Sequence, residues 1–595
     1  MRLALAQLDA LVGDLEGNAE RILAVSQRAA AAGAQLLLSP ELSLWGYPPR
    51  DLLLRPSLLA AQGRALNRLV AQLPPGMALL VGMVEPIASS ELPALHNALA
   101  LVEAGGWRVV ARKQLLPSYD VFDERRYFRP GEAAAVLQLE RGARSWRFGL
   151  TICEDLWVEE GLQGHRLAGA DPIAELAGQR LDLLLNLSAS PFGQGKAALR
   201  RRLAARAASR LGVPVVYVNQ VGGNDDLVFD GGGFVVDAAG VVVLQQAWAA
   251  EDLSLWDAMP AAAGPVIAPT ASPTPAPTPA NRLAQAKAPA DRPAPAQAPC
   301  GSEPEAPEQL LRALVLGLGD YARKCGFSGG LLGLSGGIDS ALVAVIACAA
   351  LGAQRVRALR LPSPWSSPGS LGDAADLAAR LGLVLDTLPI APLMQAMDTA
   401  LAPALGEPPA GLCAENLQSR LRGTLLMAVA NQQGQLLLAT GNKSELAVGY
   451  CTLYGDMNGG LAVIGDLYKT TVFELCEWID SAAASACRRS LGLPAEGELI
   501  GAAIRTKPPS AELRPGQRDS DSLPDYALLD PILKRLVEDL ASPEQLVAEG
   551  ADAVLVERIW TLLRRSEFKR RQAAPSLKVS RRCFGTGWRM PIAAF

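Results

Sequence analysis

The chain has 595 residues, half of them hydrophobic, and a formal net charge of −4. That length predicts two or more domains, and the near-neutral balance without a long basic run argues against nucleic acid as a general partner. Asp9 and Asp14 interrupt the N-terminus too early for a signal peptide, and no apolar run is long enough to span a bilayer. Nine scattered cysteines without a Cys-x-x-Cys pair favour reduced thiols. We therefore expect a cytoplasmic protein with no membrane partner.

The first predicted domain covers residues 1–260 and alternates strand-like with helix-like segments, the order of an α/β sandwich. The predicted strands are Leu3–Gln7, Leu36–Leu38, Met77–Val84, Ala98–Val102, Arg147–Ile152, Leu181–Leu187, Val213–Asn219 and Gly233–Val236. Helical periodicity fills Asn18–Ala32 and Leu58–Leu73 between them.

Three residues in short motifs at strand ends, Glu41, Lys113 and Cys153, could form a cysteine amidase that needs no histidine. A nearby ammonium favours the thiolate of Cys153, and Glu41 can accept the thiol proton. The thiolate can attack an amide carbonyl to form a thioester. Lys113 and backbone N–H groups can stabilise the oxyanion, and Glu41 can return its proton to the departing ammonia.

The order Glu41, Lys113, Cys153, in the flanks Pro-Glu-Leu, Arg-Lys-Gln and Cys-Glu-Asp, resembles the nitrilase (carbon–nitrogen hydrolase) superfamily. The resemblance implies a four-layer αββα fold in which Glu124 orients the three residues. The side chains that it implies for binding glutamine are Tyr119, Ser190 and Lys196. Gly233 departs from the family, where a serine often follows Asp-Gly-Gly, and this difference concerns one local hydrogen bond.

Residues 261–308 have a different composition, rich in proline, alanine and threonine. Proline removes backbone donors, and alanine and threonine cannot build a core. We expect an extended, polyproline-like linker, with an SH3-type ligand as the alternative.

The second predicted domain, residues 309–595, begins with a helix over Gln309–Gly326 and soon reaches Ser-Gly-Gly-Ile-Asp-Ser at 335–340. A buried strand ending at Leu334 would turn there into a helix. The two glycines let successive N–H groups face one concavity in front of the helix dipole, which fits a phosphate. Asp339 could hold a magnesium ion on that phosphate. Because Gly-Lys-[Ser/Thr] is missing, this is not a Walker loop; an ordinary strand–helix turn is the alternative.

Strand and helix patterns continue along the second domain and predict a doubly wound parallel sheet. They cover Val356–Leu361, Leu371–Leu381, Val384–Ile390 and Leu436–Ala439. On the helix around Asn416, Arg420 and Arg422 could clamp a dinucleotide or ATP. A salt-bridged helix is the alternative there.

Three motifs in this domain resemble known families. Ser-Gly-Gly-Ile-Asp-Ser resembles the pyrophosphate loop of N-type ATP pyrophosphatases. Thr-Gly-Asn-Lys-Ser-Glu at 440–445 and Thr-Lys-Pro-Pro-Ser-Ala-Glu-Leu-Arg-Pro at 506–515 resemble the NAD synthetase family, whose glutamine-dependent members carry a nitrilase domain in front. The resemblance implies that ATP and Mg²⁺ adenylate deamido-NAD. Ammonia from glutamine then displaces AMP after a protected passage across a homo-oligomer.

The same resemblance assigns site residues. Those implied for ATP are Gly333, Leu334, Ser335, Gly336, Gly337, Ile338, Asp339, Ser340 and Thr440. Those implied for deamido-NAD are Asn416, Glu445 and Lys578, with Lys469 on phosphates and both Asp339 and Glu445 on magnesium. Trp365 stands where a tyrosine is more familiar, which would alter a stacking contact only.

Three other functions fit the sequence less well. A GMP synthetase would need a Cys-His-Glu glutaminase, and the chain offers only His96 and His165. An asparagine synthetase would need a cysteine at position 2, where Arg2 stands. A binding protein with an inactive nitrilase fold is the third alternative, and the intact Glu41, Lys113 and Cys153 argue against it.

Overall fold

The computed structural model describes residues 1–89, 91–142, 144–259 and 303–593. Most of the predicted linker, residues 261–302, lies outside the described residues, so its polyproline-like conformation stays a prediction. In the described parts of the chain, no helix is both long enough and apolar enough to cross a membrane.

Two mixed sheets of six strands form the first domain within its described residues. The strands are β1 (Arg2–Gln7), β2 (Leu36–Leu38), β3 (Ala78–Pro86), β4 (Leu95–Glu103), β5 (Gly106–Arg112), β6 (Ala135–Arg141), β7 (Arg144–Ile152), β8 (Leu183–Ser188), β9 (Val215–Asn219), β10 (Val221–Asn224), β11 (Leu227–Asp230), β12 (Phe234–Val236), β13 (Val242–Gln245) and β14 (Asp252–Asp257). One sheet has the order β14-β1-β2-β3-β4-β5 and the other β13-β12-β9-β8-β7-β6, while β10 and β11 form a separate hairpin.

The two sheets pack face to face, and helices cover their outer faces. The helices are α1 (Leu15–Ala31), α2 (Pro56–Gln72), α3 (Glu160–Gln163), α4 (Pro172–Leu176) and α5 (Lys196–Leu211). Because strand side chains alternate, Leu5 packs with Leu185 of the other sheet, whereas the adjacent Ala4 packs with Ile22 of α1. On the far side, Leu203 of α5 packs against the second sheet. The predicted αββα sandwich is confirmed.

The second domain is built on a five-stranded sheet in its described residues. The strands are β15 (Gly330–Gly333), β16 (Val356–Arg360), β17 (Val384–Thr387), β18 (Leu436–Ala439) and β19 (Leu461–Ala462). Their order is β17-β16-β15-β18-β19, and every pairing is parallel.

Helices cover both faces of this sheet, as the prediction of a doubly wound fold requires. The helices of this domain are α6 (Ala306–Lys324), α7 (Ile338–Leu351), α8 (Pro368–Leu381), α9 (Ala391–Leu405), α10 (Gly411–Gln433), α11 (Lys443–Val448), α12 (Lys469–Asp480), α13 (Ser485–Ser490), α14 (Ala502–Thr506), α15 (Tyr526–Val537), α16 (Pro543–Ala548), α17 (Ala553–Arg565) and α18 (Glu567–Arg570). Leu332 of β15 packs with Leu342 of α7 on one face, and the adjacent Leu331 packs with Ala430 of α10 on the other.

The two domains are held together where α6 packs against the β10–β11 hairpin. The ammonium of Lys324 donates to Asp9 Oδ1 at 2.6 Å, to Gly223 O at 2.9 Å and to Asn224 Oδ1 at 2.7 Å. In the opposite direction, Gly223 N donates to Asp320 Oδ2 at 2.7 Å. This interface is buried and polar, and its geometry fixes how the hairpin sits on the second domain.

Each strand predicted from the sequence overlaps an observed strand, and the missed strands have two physical causes. β5, β6, β13, β14 and β19 lie at the sheet edges, where one side of a strand meets solvent and the apolar pattern weakens. The β10–β11 hairpin was missed because Val-Gly-Gly-Asn at 221–224 has the composition of a turn.

Two candidate active sites

Glu41, Lys113 and Cys153 lie together where β2, β5 and β7 end. Lys113 Nζ donates to Glu41 Oε1 at 2.7 Å, and the charges of both residues act on the Cys153 thiol. All three are buried, with exposed fractions of 0%, 1% and 5%. The fold therefore brings the predicted base, ammonium and nucleophile into one water-poor cluster.

Glu41 is held rigidly by the strands beside it. Asn97 on β4 donates from Nδ2 to Glu41 Oε1 at 2.7 Å, and Ala189 N donates to Oε2 at 2.9 Å. The turn that carries Glu41 crosses β3 so closely that a Cβ at Gly82 would lie 2.2 Å from Leu42 N. Asn97 and Gly82 position the base, and the sequence analysis assigned neither of them a role.

A second carboxylate shares the ammonium of Lys113. Lys113 Nζ donates to Glu124 Oε1 at 2.7 Å, and the hydroxyl of Tyr47 donates to the same oxygen at 2.7 Å. Burial would lower the pKa of Lys113, but Glu124 and Glu41 outweigh it and raise that pKa well above its ordinary value. Lys113 is therefore an ammonium, while burial raises the pKa of Glu124 to about 7.

Cys153 occupies a strained turn directly after β7. Its φ is 47°, in the left-handed region that is costly for a residue with a side chain. Asp155 holds the turn: Oδ2 accepts from Ile152 N at 3.0 Å and Oδ1 accepts from Leu115 N at 2.8 Å. The turn that aims the nucleophile is thereby tied to the segment that follows Lys113.

The resting form of Cys153 is the thiol. Burial and the charge of Glu41 raise its pKa well above the ordinary value, and Lys113 opposes them without prevailing. The ammonium of Lys113 favours the thiolate, as expected, but burial and the charge of Glu41 outweigh it. The arrangement instead suits transfer of the thiol proton to Glu41 during attack.

The predicted glutamine-binding residues border this cluster. The hydroxyl of Tyr119 donates to Glu154 Oε1 at 2.9 Å. Lys196 Nζ lies 5.4 Å from the ring centroid of Trp157 and 5.7 Å from that of Phe122. Among the described residues no carboxylate lies within ion-pair distance of Lys196. Burial, Arg200 and Lys578 together lower the pKa of Lys196 to about 8.

Ser190 is fixed by an arginine that the sequence analysis did not identify. Arg200 donates from Nε to Ser190 Oγ at 3.1 Å and pairs with Asp230 at 2.8 Å. Asn219 Oδ1 accepts from Ser190 N at 2.9 Å. Asn219 ends β9 and Asp230 ends β11, so this part of the pocket lies beside the β10–β11 hairpin of the domain interface.

Gly233, the departure from the nitrilase pattern, has a structural explanation. A Cβ at this position would lie 2.2 Å from Gln246 Oε1. The side chain of Gln246 fills that space and donates to Leu5 O at 3.0 Å. Glycine at 233 and glutamine at 246 are therefore complementary.

The second candidate site lies at the carboxyl end of the parallel sheet. The loop at 335–340 turns through Gly336, whose φ is 83° and whose Cβ would lie 2.1 Å from Ser370 O. Inside the turn, Gly337 N donates to Ser335 Oγ at 3.2 Å, and Ser340 Oγ donates to Gly337 O at 3.0 Å. Helix α7 starts at Ile338, so its positive dipole end faces the loop.

Two residues of the 506–515 motif brace this loop. Lys507 Nζ donates to Gly336 O at 3.2 Å and to Ser370 Oγ at 3.1 Å. Glu512 Oε1 accepts from Ser367 Oγ at 2.8 Å and from Ser370 Oγ at 2.7 Å. The sequence analysis used this motif only as a family signal, and the structure shows what it contacts.

Asp339 and Glu445 share one ammonium. Lys469 Nζ donates to Asp339 Oδ2 at 2.5 Å and to Glu445 Oε1 at 3.2 Å. Asn442 caps α11 and donates from Nδ2 to Asp339 Oδ1 at 3.0 Å. Burial raises the pKa of Glu445 to about 8 against the opposing charge of Lys469. Two carboxylates beside a glycine-containing loop at a helix start fit magnesium, which takes one or two carboxylates together with substrate phosphates.

The remaining predicted contacts are more dispersed. Asn416 Oδ1 accepts from Thr452 Oγ1 at 2.9 Å, and Thr440 follows β18 in a half-buried position. Arg420 and Arg422 donate to backbone carbonyls, and in the described residues neither pairs with a carboxylate. Neither arginine therefore contributes an ion pair to the salt-bridged alternative, and the clamp stays a prediction.

Among the described residues, Lys578 makes no hydrogen bond or ion pair with Asp339, Glu445 or Lys469. Its Nζ pairs with Asp120 Oδ2 of the first domain at 3.0 Å and donates to Ser580 O at 2.7 Å. Its predicted contact with deamido-NAD stays a prediction, and the structure shows an interdomain contact for the same ammonium.

Comparisons with known proteins agree with both domains. The carbon–nitrogen hydrolase family model matches residues 2–266, and the NAD synthase family model matches residues 310–573. The chain is 47% identical over 594 residues to the glutamine-dependent NAD(+) synthetase of Synechocystis sp., covering 99% of this chain and 98% of the relative. It is 44% identical to the enzyme of the same name from Rhodobacter capsulatus, with the same coverage.

Solved structures extend the likeness to the whole chain. The glutamine-dependent NAD+ synthetase of Acinetobacter baumannii, in complex with ADP, is 34% identical with a TM-score of 0.70, and the match covers 99% of this chain and 98% of that one. The corresponding enzyme of Cytophaga hutchinsonii has a TM-score of 0.75 at 20% identity, covers 100% of this chain and 98% of its own, and shows the shared fold.

The fold and the two sites define a two-domain carbon–nitrogen ligase, in which a nitrilase-type domain precedes an ATP-binding domain of the NAD synthase type. Sequence identity of 44–47% to two relatives, over 99% of this chain, narrows the class of ligase further. The chain belongs to the family of glutamine-dependent NAD(+) synthetases.

Proposed function

We propose that this chain converts deamido-NAD to NAD, using ATP and the amide nitrogen of glutamine and yielding AMP, pyrophosphate and glutamate. The observation that carries the proposal is the buried Glu41–Lys113–Cys153 cluster in the same chain as a glycine-lined anion loop. The first site can release ammonia, and the second can activate a carboxylate to receive it.

In the glutaminase site, Lys196 and Glu154 would recognise the two charges of an amino acid. Lys196 would take the α-carboxylate of glutamine, because it is a cation faced by two aromatic rings. Glu154, held by Tyr119, would take the α-ammonium. Ser190, fixed by Arg200, would orient the chain of the substrate.

The amide carbonyl would then lie at Cys153. The thiol gives its proton to Glu41 as sulfur attacks, and Lys113 stabilises the oxygen of the tetrahedral intermediate. Glu41 passes the proton to the departing ammonia and afterwards activates the water that hydrolyses the thioester. The left-handed backbone at Cys153 would fix the direction from which the sulfur attacks the amide carbonyl.

In the synthetase site, the loop at 335–340 would bind the phosphates of ATP with its N–H groups and the dipole of α7. Asp339 and Glu445 would hold magnesium, which neutralises charge on the phosphates. Lys469 lies within reach of both carboxylates and would contact phosphate, while Thr440, Asn416 and Lys578 remain proposed ligand contacts. Positioning the nicotinate carboxylate against the α-phosphate supplies most of the catalysis.

Three further features belong to the same proposal. Residues 1–260 and 309–595 are the two domains, and 261–308 connects them. The enzyme works in the cytoplasm as a homo-oligomer, in which a protected passage carries ammonia from Cys153 to the adenylate. Protection is needed because ammonia in neutral water is mostly ammonium, which is not a nucleophile.

The test is Cys153→Ala, because that change removes the nucleophile and leaves the second site intact. We expect glutamine-driven NAD synthesis to vanish, while synthesis from added ammonium salt continues within about twofold of the unchanged protein. NAD and AMP are measured by chromatography. Cys487→Ala, at another buried thiol, is the matched control and should leave both activities unchanged.

Two results would contradict the proposal. If Cys153→Ala kept glutamine-driven synthesis, the thiol would not be the nucleophile. If deamido-NAD, ATP, Mg²⁺ and either nitrogen source gave no NAD with the unchanged protein, the assigned reaction would be wrong.

A further inference from the structure

A loop over residues 159–171, which we call the pocket loop, lies beside the predicted glutamine pocket. Both of its ends are fixed to α5. Arg210 donates from Nη1 to Glu159 Oε1 at 2.9 Å and from Nη2 to Asp171 Oδ2 at 2.8 Å. Between these two anchors the pocket loop carries His165, one of only two histidines in the chain.

The pocket loop holds His165 against a predicted glutamine contact. Gly164 caps α3 with a φ of 81°, in the left-handed region, and His165 follows directly. The imidazole ring lies 5.0 Å from the ring of Tyr119, centroid to centroid, at an interplanar angle of 76°. Arg125 supports the following turn by donating to Ala168 O at 3.4 Å. The exposed imidazole therefore stands directly beside Tyr119.

Tyr119 connects His165 with Glu154, the carboxylate proposed for the α-ammonium of glutamine. The hydroxyl of Tyr119 donates to Glu154 Oε1 at 2.9 Å, and Glu154 is only 4% exposed. Burial raises the pKa of Glu154, and the charges that oppose this effect include those of Lys113, Lys196 and His165. A proton on His165 is therefore felt at Glu154.

The other charges around His165 stay constant near neutral pH. Those on neighbouring elements and on the pocket loop are Asp120, Arg125, Lys196, Arg210, Glu159, Glu160, Arg166 and Asp171. Ordinary carboxylates and guanidinium groups keep their charges between about pH 6 and 8. The lowered pKa of Lys196 lies at the top of this range, at about 8. Below neutral pH, His165 and Glu154 are therefore the two groups whose charge can change.

We propose that His165 determines how strongly the glutamine pocket prefers a substrate that carries an α-ammonium. The inference rests on the proposed function, in which Glu154 takes that ammonium. A neutral His165 leaves the charge of Glu154 to the substrate. A protonated His165 competes with the substrate for the same carboxylate, because two cations then share one counter-charge. The competition concerns binding and not attack, so it changes KM and leaves kcat unaltered.

The test compares glutamine with glutaramate, which is glutamine without its α-amino group, as substrates of the full chain. His165→Lys places a permanent cation beside Tyr119, and His165→Gln places a neutral side chain there. At about pH 7.5, where imidazoles are mostly neutral, His165→Lys should lower kcat/KM for glutamine about fivefold or more through KM. His165→Gln should stay within about twofold of the unchanged protein.

Glutaramate supplies the substrate control. It keeps the carboxylate that Lys196 would bind and lacks the ammonium that Glu154 would bind. Its hydrolysis should therefore stay within about twofold in the unchanged protein and in both variants of His165. Release of glutamate and of glutarate is measured by chromatography.

The role of the imidazole itself is tested by lowering the pH. The measured quantity is the ratio of kcat/KM for glutamine to kcat/KM for glutaramate. From about pH 7.5 to about pH 6, this ratio should fall about threefold further in the unchanged protein than in His165→Gln. Protonation of Glu154 lowers the ratio in both proteins, so the difference between them reports on His165.

His96→Gln is the matched control for the pH series. His96 is the other histidine of the chain, and its Nδ1 lies 2.8 Å from Arg129 O. Since His96 lies outside the pocket loop, His96→Gln should keep the pH dependence of the unchanged protein.

The proposal is overturned if His165→Lys hydrolyses glutamine as well as the unchanged protein does. It is also overturned if the unchanged protein and His165→Gln lose the preference for glutamine equally as the pH falls. Equal losses for glutamine and glutaramate in His165→Lys would reject it too, because the ammonium would then play no part. Failure of the proposed function would look different, since the unchanged protein would release no glutamate from glutamine at any pH.

Discussion

The surroundings of Lys196 lower its pKa, so that the side chain loses its charge close to neutral pH. Burial, Arg200 and Lys578 lower its pKa to about 8, so the ammonium dominates below that pH and is lost above it. Since a carboxylate binds the charged form, the KM for glutamine should rise above pH 8 by about tenfold per unit. Measuring KM for glutamine between about pH 7 and 9.5 tests this dependence.

Lys196→Arg is the matched control for that profile. Its guanidinium stays charged throughout the range, while the titration of glutamine itself is common to both proteins. The rise in KM above pH 8 should therefore be smaller in the variant. Identical profiles for the two proteins would show that Lys196 does not carry the binding of the carboxylate.

At the scale of one element, the loop at 335–340 depends on the absence of a side chain at Gly336. Its φ is 83°, and a Cβ there would lie 2.1 Å from Ser370 O. Gly336→Ala should cost about 1–2 kcal/mol of stability from the left-handed backbone alone. It should also lower ammonia-driven synthesis at least about tenfold, because the phosphate concavity opens, and leave glutaminase activity within about twofold.

Gly372→Ala gives the control for this element. Gly372 lies inside α8 with no atom within 4 Å of the position of an added Cβ, so alanine should stabilise the helix by about 0.5–1 kcal/mol. Thermal unfolding and the two activities are measured side by side. Normal synthesis in Gly336→Ala would show that the loop does not bind ATP as proposed.

At the scale of the whole molecule, one surface of the second domain suggests a second copy of the chain. Helix α9 is apolar in sequence, yet none of its residues is buried, and Leu412 at the start of α10 is 71% exposed. Apolar faces of this kind mark interaction surfaces. We expect a mass in solution above the 62.5 kDa of one chain, measured by light scattering.

Leu412→Glu should shift that mass toward a single chain, because the charge would be buried in the interface. Val554→Glu is the matched control, since Val554 of α17 is 79% exposed on another helix, and it should leave the mass unchanged. A single-chain mass for the unchanged protein at micromolar concentration would reject the homo-oligomer.

The sequence by itself determined the layers and the chemistry. Strand patterns indicate buried sheets, both in the alternation of Leu3–Gln7 and in the apolar runs around Leu332 and Leu438. Short motifs at the strand ends carry the site residues, which are Glu41, Lys113, Cys153 and the loop at 335–340. These are local patterns, readable because neighbouring residues in the chain remain neighbours in the fold.

Only the tertiary structure decided which carboxylates share one ammonium group. It also decided which distant residues position the site residues. Asn97 and Lys507 act on Glu41 and Gly336, which are far away in sequence, so no local pattern marks them. The protonation of Cys153 depends on more than its ammonium neighbour, because burial and Glu41 raise its pKa while Lys113 lowers it. Edge strands and the interdomain role of Lys578 also depend on what packs beside them, and a linear pattern does not contain that information.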